Sequence, residues 1–279
     1  MTEYHGVDLG LHVPHSARVT DYFLGGLTNF QADRAAAGWM MAMANMPLPE
    51  IVRSRRLSLQ GIITRLAQAG AAQFLDLGCG LPVPTVGDLC DTHTLAARAA
   101  GERATTTVYV DLDPIVAPFC TAVHRPDAPH RAQFRQADLR EADLIPSLVA
   151  SGLLDPDLPT AVVLGDVLQE LTDDEVRALA ASLARDLPPG SALALSHPGA
   201  IATWTPWLQD HPDETTLPWH PRTLQQTAPL LAGWVTAPSA RSARKAERRR
   251  SPGWTSTAVR SSNPRNTRPA PVPAKNKED

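Results

Sequence analysis

The chain has 279 residues, 43% of them hydrophobic, and its 26 basic and 29 acidic residues leave a net charge of −3. That supplies one core-bearing domain of about 220 residues plus a tail, while no apolar run approaches the ~20 residues that span a bilayer. There is no signal-peptide pattern at the start, the three cysteines (Cys79, Cys90, Cys120) have no paired spacing, and the nine histidines have no metal-ligand spacing. The chain is therefore expected in the reducing cytoplasm, with neither a disulfide framework nor a metal centre.

Ile51, Leu57, Leu59, Ile62, Ile63 and Leu66 recur at helical spacing and predict an amphipathic helix over residues 53–66. The run Gln73-Phe74-Leu75-Asp76-Leu77 then predicts a strand that feeds the turn Gly78-Cys79-Gly80. Glycine has no Cβ and takes φ > 0, so backbone N–H groups there can approach a ligand closely; in open α/β sheets this first turn is where nucleotide-like cofactors bind. The plainer reading is an ordinary strand-end turn. A dinucleotide fingerprint needs a third glycine opening a helix. Leu81-Pro82-Val83-Pro84 follows instead, which makes an immediate helix awkward and disfavours NAD. Asp76 before the first glycine points to S-adenosylmethionine (SAM), whose ammonium an acidic neighbourhood can hold.

Thr106-Thr107-Val108-Tyr109-Val110 predicts a second strand ending in Asp111-Leu112-Asp113-Pro114. A carboxylate there can accept from both ribose hydroxyls, as in dinucleotide folds. The 35-residue interval from Asp76 to Asp111 exceeds the ~20 usual for that arrangement, implying a longer loop between Leu81 and Thr92. Asp113 reads mainly as a helix cap before Pro114, Asp111 mainly as the ribose ligand. A third strand, Gln133-Phe134-Arg135-Gln136-Ala137, leads into Asp138-Leu139-Arg140, where an acidic side chain and a neighbouring backbone N–H can read the adenine amino edge; a cap is the alternative.

Residues 160–166 form a continuous apolar run, as in a strand buried on both faces. Thr172 and Glu175 form a capping-box pattern opening a helix over residues 176–187. A fifth strand, Ala192-Leu193-Ala194-Leu195-Ser196, ends at His197. Strands alternating with helices predict a parallel α/β sheet, with every polar residue singled out so far at a strand's carboxyl end. Asp166, Gln169 and His197 face where an acceptor would enter but carry no catalytic assignment. Trp204, Trp207 and Trp219 either shape an acceptor pocket or anchor packing. Cys79 reads as a small residue in the turn rather than a nucleophile.

Six ordered segments carry a resemblance over residues 14–236: the N-terminal stretch from Pro14 to Phe30 with Asp33 and Arg34, Leu75 to Pro82, Thr92 to Ala96, Val108 to Pro114, Gln136 to Arg140, and Leu195 to His197. Together they resemble bacterial SAM-dependent methyltransferases of class I fold. The resemblance implies a Rossmann-like sheet with helices on both faces. It implies that Asp76, Gly78 and Gly80 line the methionine side of SAM, Asp111 the ribose, and Asp138 with Leu139 the adenine. It further implies that the segment bearing Arg18, Tyr22, Gly25 and Gly26 folds over the cofactor as a lid; read from its residues alone, the Gly25-Gly26 pair is a helix C-cap. Gln169 stands where the family commonly has His, and Leu27 where a lysine often follows the glycine pair.

The family closes its sheet with an antiparallel strand pair. Here residues 223–231 fit the preceding helix and Gly233-Trp234-Val235-Thr236 the first strand of the pair, but no second strand is evident, so the pair is expected to be incomplete. From Ala237 the composition changes. Residues 241–279 hold 11 basic against 3 acidic residues, a net +8, leaving 15 against 26 and a net −11 before them. Residues 237–279 therefore read as a disordered basic tail. A solvated run is the commoner interpretation of such a tail, and contact with nucleic acid the rarer. The expected function is methyl transfer from SAM to a small-molecule acceptor; the alternative is a SAM-binding protein without catalysis, a regulator or degenerate copy.

Overall fold

Each of the five expected parallel strands forms. The computed structural model describes residues 3–4, 7–44, 46–83, 88–122, 129–198, 219–238 and 255–261. A two-residue antiparallel ladder, β1 (Glu3–Tyr4) with β2 (Val7–Asp8), precedes three helices: α1 (Ser16–Phe23), α2 (Gln31–Ala44) and α3 (Leu48–Gln68). Then β3 (Gln73–Leu77), β4 (Thr105–Asp111), β5 (His130–Gln136), β6 (Thr160–Gly165) and β7 (Ala192–His197) alternate with α4 (Thr92–Ala100), α5 (Val116–Ala122), α6 (Leu144–Ala150) and α7 (Asp173–Asp186). The expected capping box opens α7: the Glu175 N–H donates to Thr172 Oγ1 at 3.3 Å, and the Thr172 N–H donates to Glu175 Oε2 at 2.7 Å.

The sheet order is β5-β4-β3-β6-β7-β9-β8, with β8 (Trp234–Pro238) and β9 (Thr255–Ser261) at one end. The chain starts at β3 in the middle, steps out to β5, then returns across β3 to β6 and β7, all parallel. That reversal leaves a crevice at the carboxyl ends of β3 and β6, the place where open α/β sheets bind ligands.

Side-chain alternation along the strands sorts the core into two layers. Leu75, Leu77, Val108, Val110, Val162 and Leu164 pack with α6 and α7 through Leu144, Leu148, Leu179 and Leu183. Phe74, Ala161, Val163 and Ala194 pack on the other face against Leu59, Ile62 and Ile63 of α3 and Ala96 of α4. All five residues of β3 are buried, as expected for a central strand covered on both faces.

The C-terminal end corrects one expectation. The missing second strand of the pair exists: β9 inserts between β7 and β8, antiparallel to both, with Ala194 opposite Ala258 and Thr236 opposite Val259. It comes from within residues 237–279, so the sheet does not end at residue 236. Its only large apolar residue is Val259, so the hydrophobic pattern by which strands are read is nearly absent. What defines it is the open ladder of its two neighbours. The rest of the basic segment, residues 239–254 and 262–279, lies outside the described residues.

Candidate active site

A cavity of about 250 Å³ opens at the carboxyl ends of β3, β4, β5, β6 and β7. Its floor is the loop after β3. Gly78 and Gly80 have φ of +63° and +66°, and the N–H groups of Gly78 and Cys79 donate to the Val110 carbonyl at 2.8 and 3.1 Å, pinning the turn against β4. A Cβ on Gly78 would lie 2.4 Å from Val167 Cγ2, so glycine is required there by packing as well as by φ. The Gly80 N–H donates to Asp111 Oδ2 at 2.8 Å, and the Asp113 N–H to Asp111 Oδ1 at 2.9 Å. Burial raises the Asp111 pKa, opposed by these two amides. Cys79 Sγ lies 3.9 Å from Cys120 Sγ, both thiols free and buried, so the two cysteines meet in space despite their sequence spacing. Burial pushes the Cys79 thiol well up, which makes it a poor nucleophile.

At the end of β5, Asp138 and Leu139 line the cavity. Arg140 grips the Asp138 carboxylate through Nε (2.9 Å to Oδ1) and Nη2 (2.6 Å to Oδ2), which lowers its pKa. Asp113 caps α5 as expected, accepting from the Ile115 N–H at 2.8 Å, and its other oxygen sits 3.2 Å from His15 Nδ1. That contact docks the start of α1 over the cavity.

Beyond β3, the wall is built by β6, β7 and α3. Asp166 follows β6 with φ +56°, the one described non-glycine residue at positive φ; Asp tolerates this region better than most residues. Its carboxylate accepts from Arg55 Nε at 2.8 Å and from the Ser196 hydroxyl at 2.7 Å. Arg56 lines the same wall, its Nη1 3.6 Å from where a Cβ of Gly165 would be, and it forms no ion pair or hydrogen bond among the described residues. Glu170, partly buried, completes this side. Burial holds its pKa up at about 7, opposed by the Ser16 hydroxyl and reinforced by the charge of Asp111.

Several sequence-derived site residues lie elsewhere. Asp76 alternates with Leu75 and Leu77 and so faces α3 and α4; it is 1% exposed, accepts from the Thr92 hydroxyl, and does not line the cavity. Burial lifts its pKa to about 6, with Arg56 opposing. Arg18 is buried, and its guanidinium is committed to Asp33 (3.2 Å) and the carbonyls of Leu9, Gly10 and Val13. Tyr22 packs with the helices of the N-terminal segment. Gly25 has φ +81°, and a Cβ on Gly26 would fall 1.9 Å from Asp21 Oδ1. Both glycines are turn requirements rather than cavity lining. Segment 15–24 does cover the cavity, but through His15, Ser16, Ala17, Thr20, Asp21 and Leu24.

Gln169 and His197 are buried and also do not line it. Gln169 Nε2 donates to the Asp166 carbonyl, and burial drops the His197 pKa to about 4. Trp219 packs near α2 and α3; Trp204 and Trp207 lie outside the described residues, as does part of the loop after Leu81. Arg56 and Glu170 are among the lining residues that sequence reading missed. Arg56 carried no signal beyond its place on an amphipathic helix, and Glu170 none beyond following a strand end. Among the described residues no group of three or more His, Cys, Asp or Glu is placed to hold a metal, and no helix is long and apolar enough to cross a membrane.

A family model of S-adenosyl methyltransferases matches residues 3–238. The chain belongs to the S-adenosyl methyltransferase family. This methyltransferase is similar in structure to a DUF574 family protein from Streptomyces avermitilis, at 24% identity and a TM-score of 0.76, covering 91% of this chain and 99% of that one. It is also similar to a provisionally assigned methyltransferase from Thermobifida fusca, at 25% identity and a TM-score of 0.75, covering 92% and 98%. No curated protein matches it significantly in sequence. The fold is the class I, Rossmann-like methyltransferase fold, and the cofactor is SAM.

The residues present fit that cofactor. The cavity is continuous from Asp138 and Leu139 through Asp111 and the glycine turn to Arg56, so it offers an acid at two successive strand ends and, beyond them, a cation without an ion pair or hydrogen bond among the described residues. A carboxylate has about four lone-pair sites, so Asp111 can hold two amides and still accept from hydroxyls.

Proposed function

We propose that this methyltransferase moves the methyl group of SAM onto a small-molecule acceptor in the cytoplasm. In this reading Asp138 and Leu139 take the adenine, Asp111 the ribose hydroxyls, and Gly78 and Gly80 flank the methionine portion. Arg56 supplies the cation for the cofactor carboxylate. Bound SAM supplies an electrophilic methyl group on a sulfonium. The protein's part is to hold donor and acceptor in line, and such positioning can supply much of the acceleration.

The observation that carries the reading is the continuity of one cavity from the β5 end to Asp166 and Ser196 at the β6 and β7 ends. The cofactor-lining strand ends and an open polar wall share that space. β9 supplies the last strand whose expected absence motivated the inert-copy alternative. Calorimetric titration with SAM, S-adenosylhomocysteine (SAH) and NAD tests it: the first two should bind and NAD should not. A folded protein that binds none of them overturns it.

A further inference from the structure

Glu170 stands apart from the other charged groups of the cavity. It ends the short 3-10 turn Leu168–Glu170 after β6, and among the described residues its carboxyl has no cationic partner. The other charges are engaged or face elsewhere. From α1, Asp21 accepts from the Thr28 N–H and from Asn29, and His15 faces Asp113. From β5, Asp138 is held by Arg140. From β6, Asp166 is held by Arg55. From α3, Arg56 lines the cavity too, with its charge acting on the buried Asp76. Glu170 lines the cavity just after Val167, whose side chain packs on the Gly78 turn, and the Ser16 hydroxyl and the charge of Asp111 act on its carboxyl in opposite senses.

Resting on the cofactor placement proposed above, we infer that Glu170 is the proton acceptor of methyl transfer and that the charge of the bound cofactor switches it. With the ribose at Asp111 and the amino acid at Gly78–Gly80, the sulfur, bonded to both portions, lies between them. Glu170 opens onto that same stretch of the cavity, since the turn that carries it packs on Gly78 through Val167. An opposite charge within ~4–6 Å lowers a carboxyl pKa by about 1–3 units, so a sulfonium seated that close favours the ionised form of Glu170. An acceptor O or N then forms its bond to the methyl carbon with its own lone pair, while the carbon–sulfur pair stays on sulfur. The acceptor's proton must leave, and the neutral sulfide no longer holds Glu170 ionised. The carboxylate takes that one proton: a cation and an anion become two neutral groups, and nothing else is consumed. A pKa near the working pH suits a group that must both release and accept.

The test is proton linkage, read by titration calorimetry of the full chain near pH 7 in buffers of different ionisation enthalpy. SAM and SAH share the ammonium and carboxylate, so only the sulfonium differs between them. SAM binding should release about half a proton more than SAH binding, since a group titrating near 7 is half protonated there. In Glu170→Gln the excess should vanish and the preference for SAM over SAH should shrink. In His15→Gln, which alters another side chain lining the same cavity, the excess should persist. Equal release for the two ligands in the wild type overturns the inference, as does an excess that survives in E170Q. Should E170Q fail to fold, Glu170→Asp, which keeps an acid, must retain the excess. Failure of the wild type to bind either ligand instead sinks the cofactor reading itself.

Discussion

Replacing Arg18 with methionine separates an internal clamp from a ligand-binding residue. The substitution keeps the aliphatic stem and removes the guanidinium. Asp33 would still accept from the His15 and Phe30 amides at 2.9 and 2.8 Å, but its cation would be gone. The carbonyls of Leu9, Gly10 and Val13 would lose their donor. Both partners of the pair are almost fully inaccessible, at 3% and 0% side-chain exposure, so solvent screening offers little relief. Breaking such a pair from one side costs about 3–5 kcal/mol, a large share of the ~5–15 kcal/mol that holds a domain together. At about 2–4 °C per kcal/mol for this size, Tm should fall by about 6–20 °C. Arg18→Lys should lose less, keeping charge without the planar fork. Thermal melts followed by circular dichroism without ligand read this directly. An R18M protein that melts like the wild type yet no longer binds SAM would refute the clamp and return Arg18 to the ligand.

Four further outcomes are expected. Asp111→Ala should weaken SAM binding by about 10- to 100-fold, since hydrogen bonds to a charged group contribute ~1.5–3 kcal/mol; unchanged calorimetric affinity would remove the ribose assignment. The raised Glu170 pKa gives stability that is full below about pH 4.5 and is lost as pH rises through about 7. E170Q should therefore melt higher than the wild type at pH 8 but not at pH 4, and equal Tm differences at both would contradict that shift. His197 has its pKa depressed to about 4, so its contribution is present above about 6.5 and fades as pH falls toward 4. Urea unfolding of His197→Asn should show a flatter acid limb over that window. Truncation after residue 238 removes β9, leaving β7 and β8 without the strand that joins them. It should lower Tm sharply or cause association through the exposed edges, and an unchanged melt would mean β9 is dispensable.

The parallel sheet was legible because each of its strands is a short apolar run closed by a polar strand-end residue, and that pattern is local. Asp111 and Asp138 were legible as cavity residues for the same reason. Asp76 was not, although the information was present: with Leu75 and Leu77 committed to one face, period-two alternation sends Asp76 to the other. Arg18 was unreadable in a different way. Its partners are Asp33, on another helix, and three carbonyls of an irregular segment, and no spacing rule encodes such a meeting. Glu170 and Arg56 depend on which side chains remain unpaired after packing, a property of the whole cavity. β9 is weakly written in its own residues and strongly written in the gap it fills.

The position of β9 bears on how the chain assembles. It is synthesised after β7 and β8, yet it lies between them, so the two earlier strands cannot pair with each other and still reach the final arrangement. Until Thr255–Ser261 emerges, the five parallel strands are already synthesised, but β7 lacks its outer neighbour and β8 its partner. Such late, long-range pairing is slow relative to local structure, and unpaired edges in the interval invite association with other chains. Expression yield, and not only the equilibrium stability of the finished enzyme, should therefore respond to substitutions in this strand.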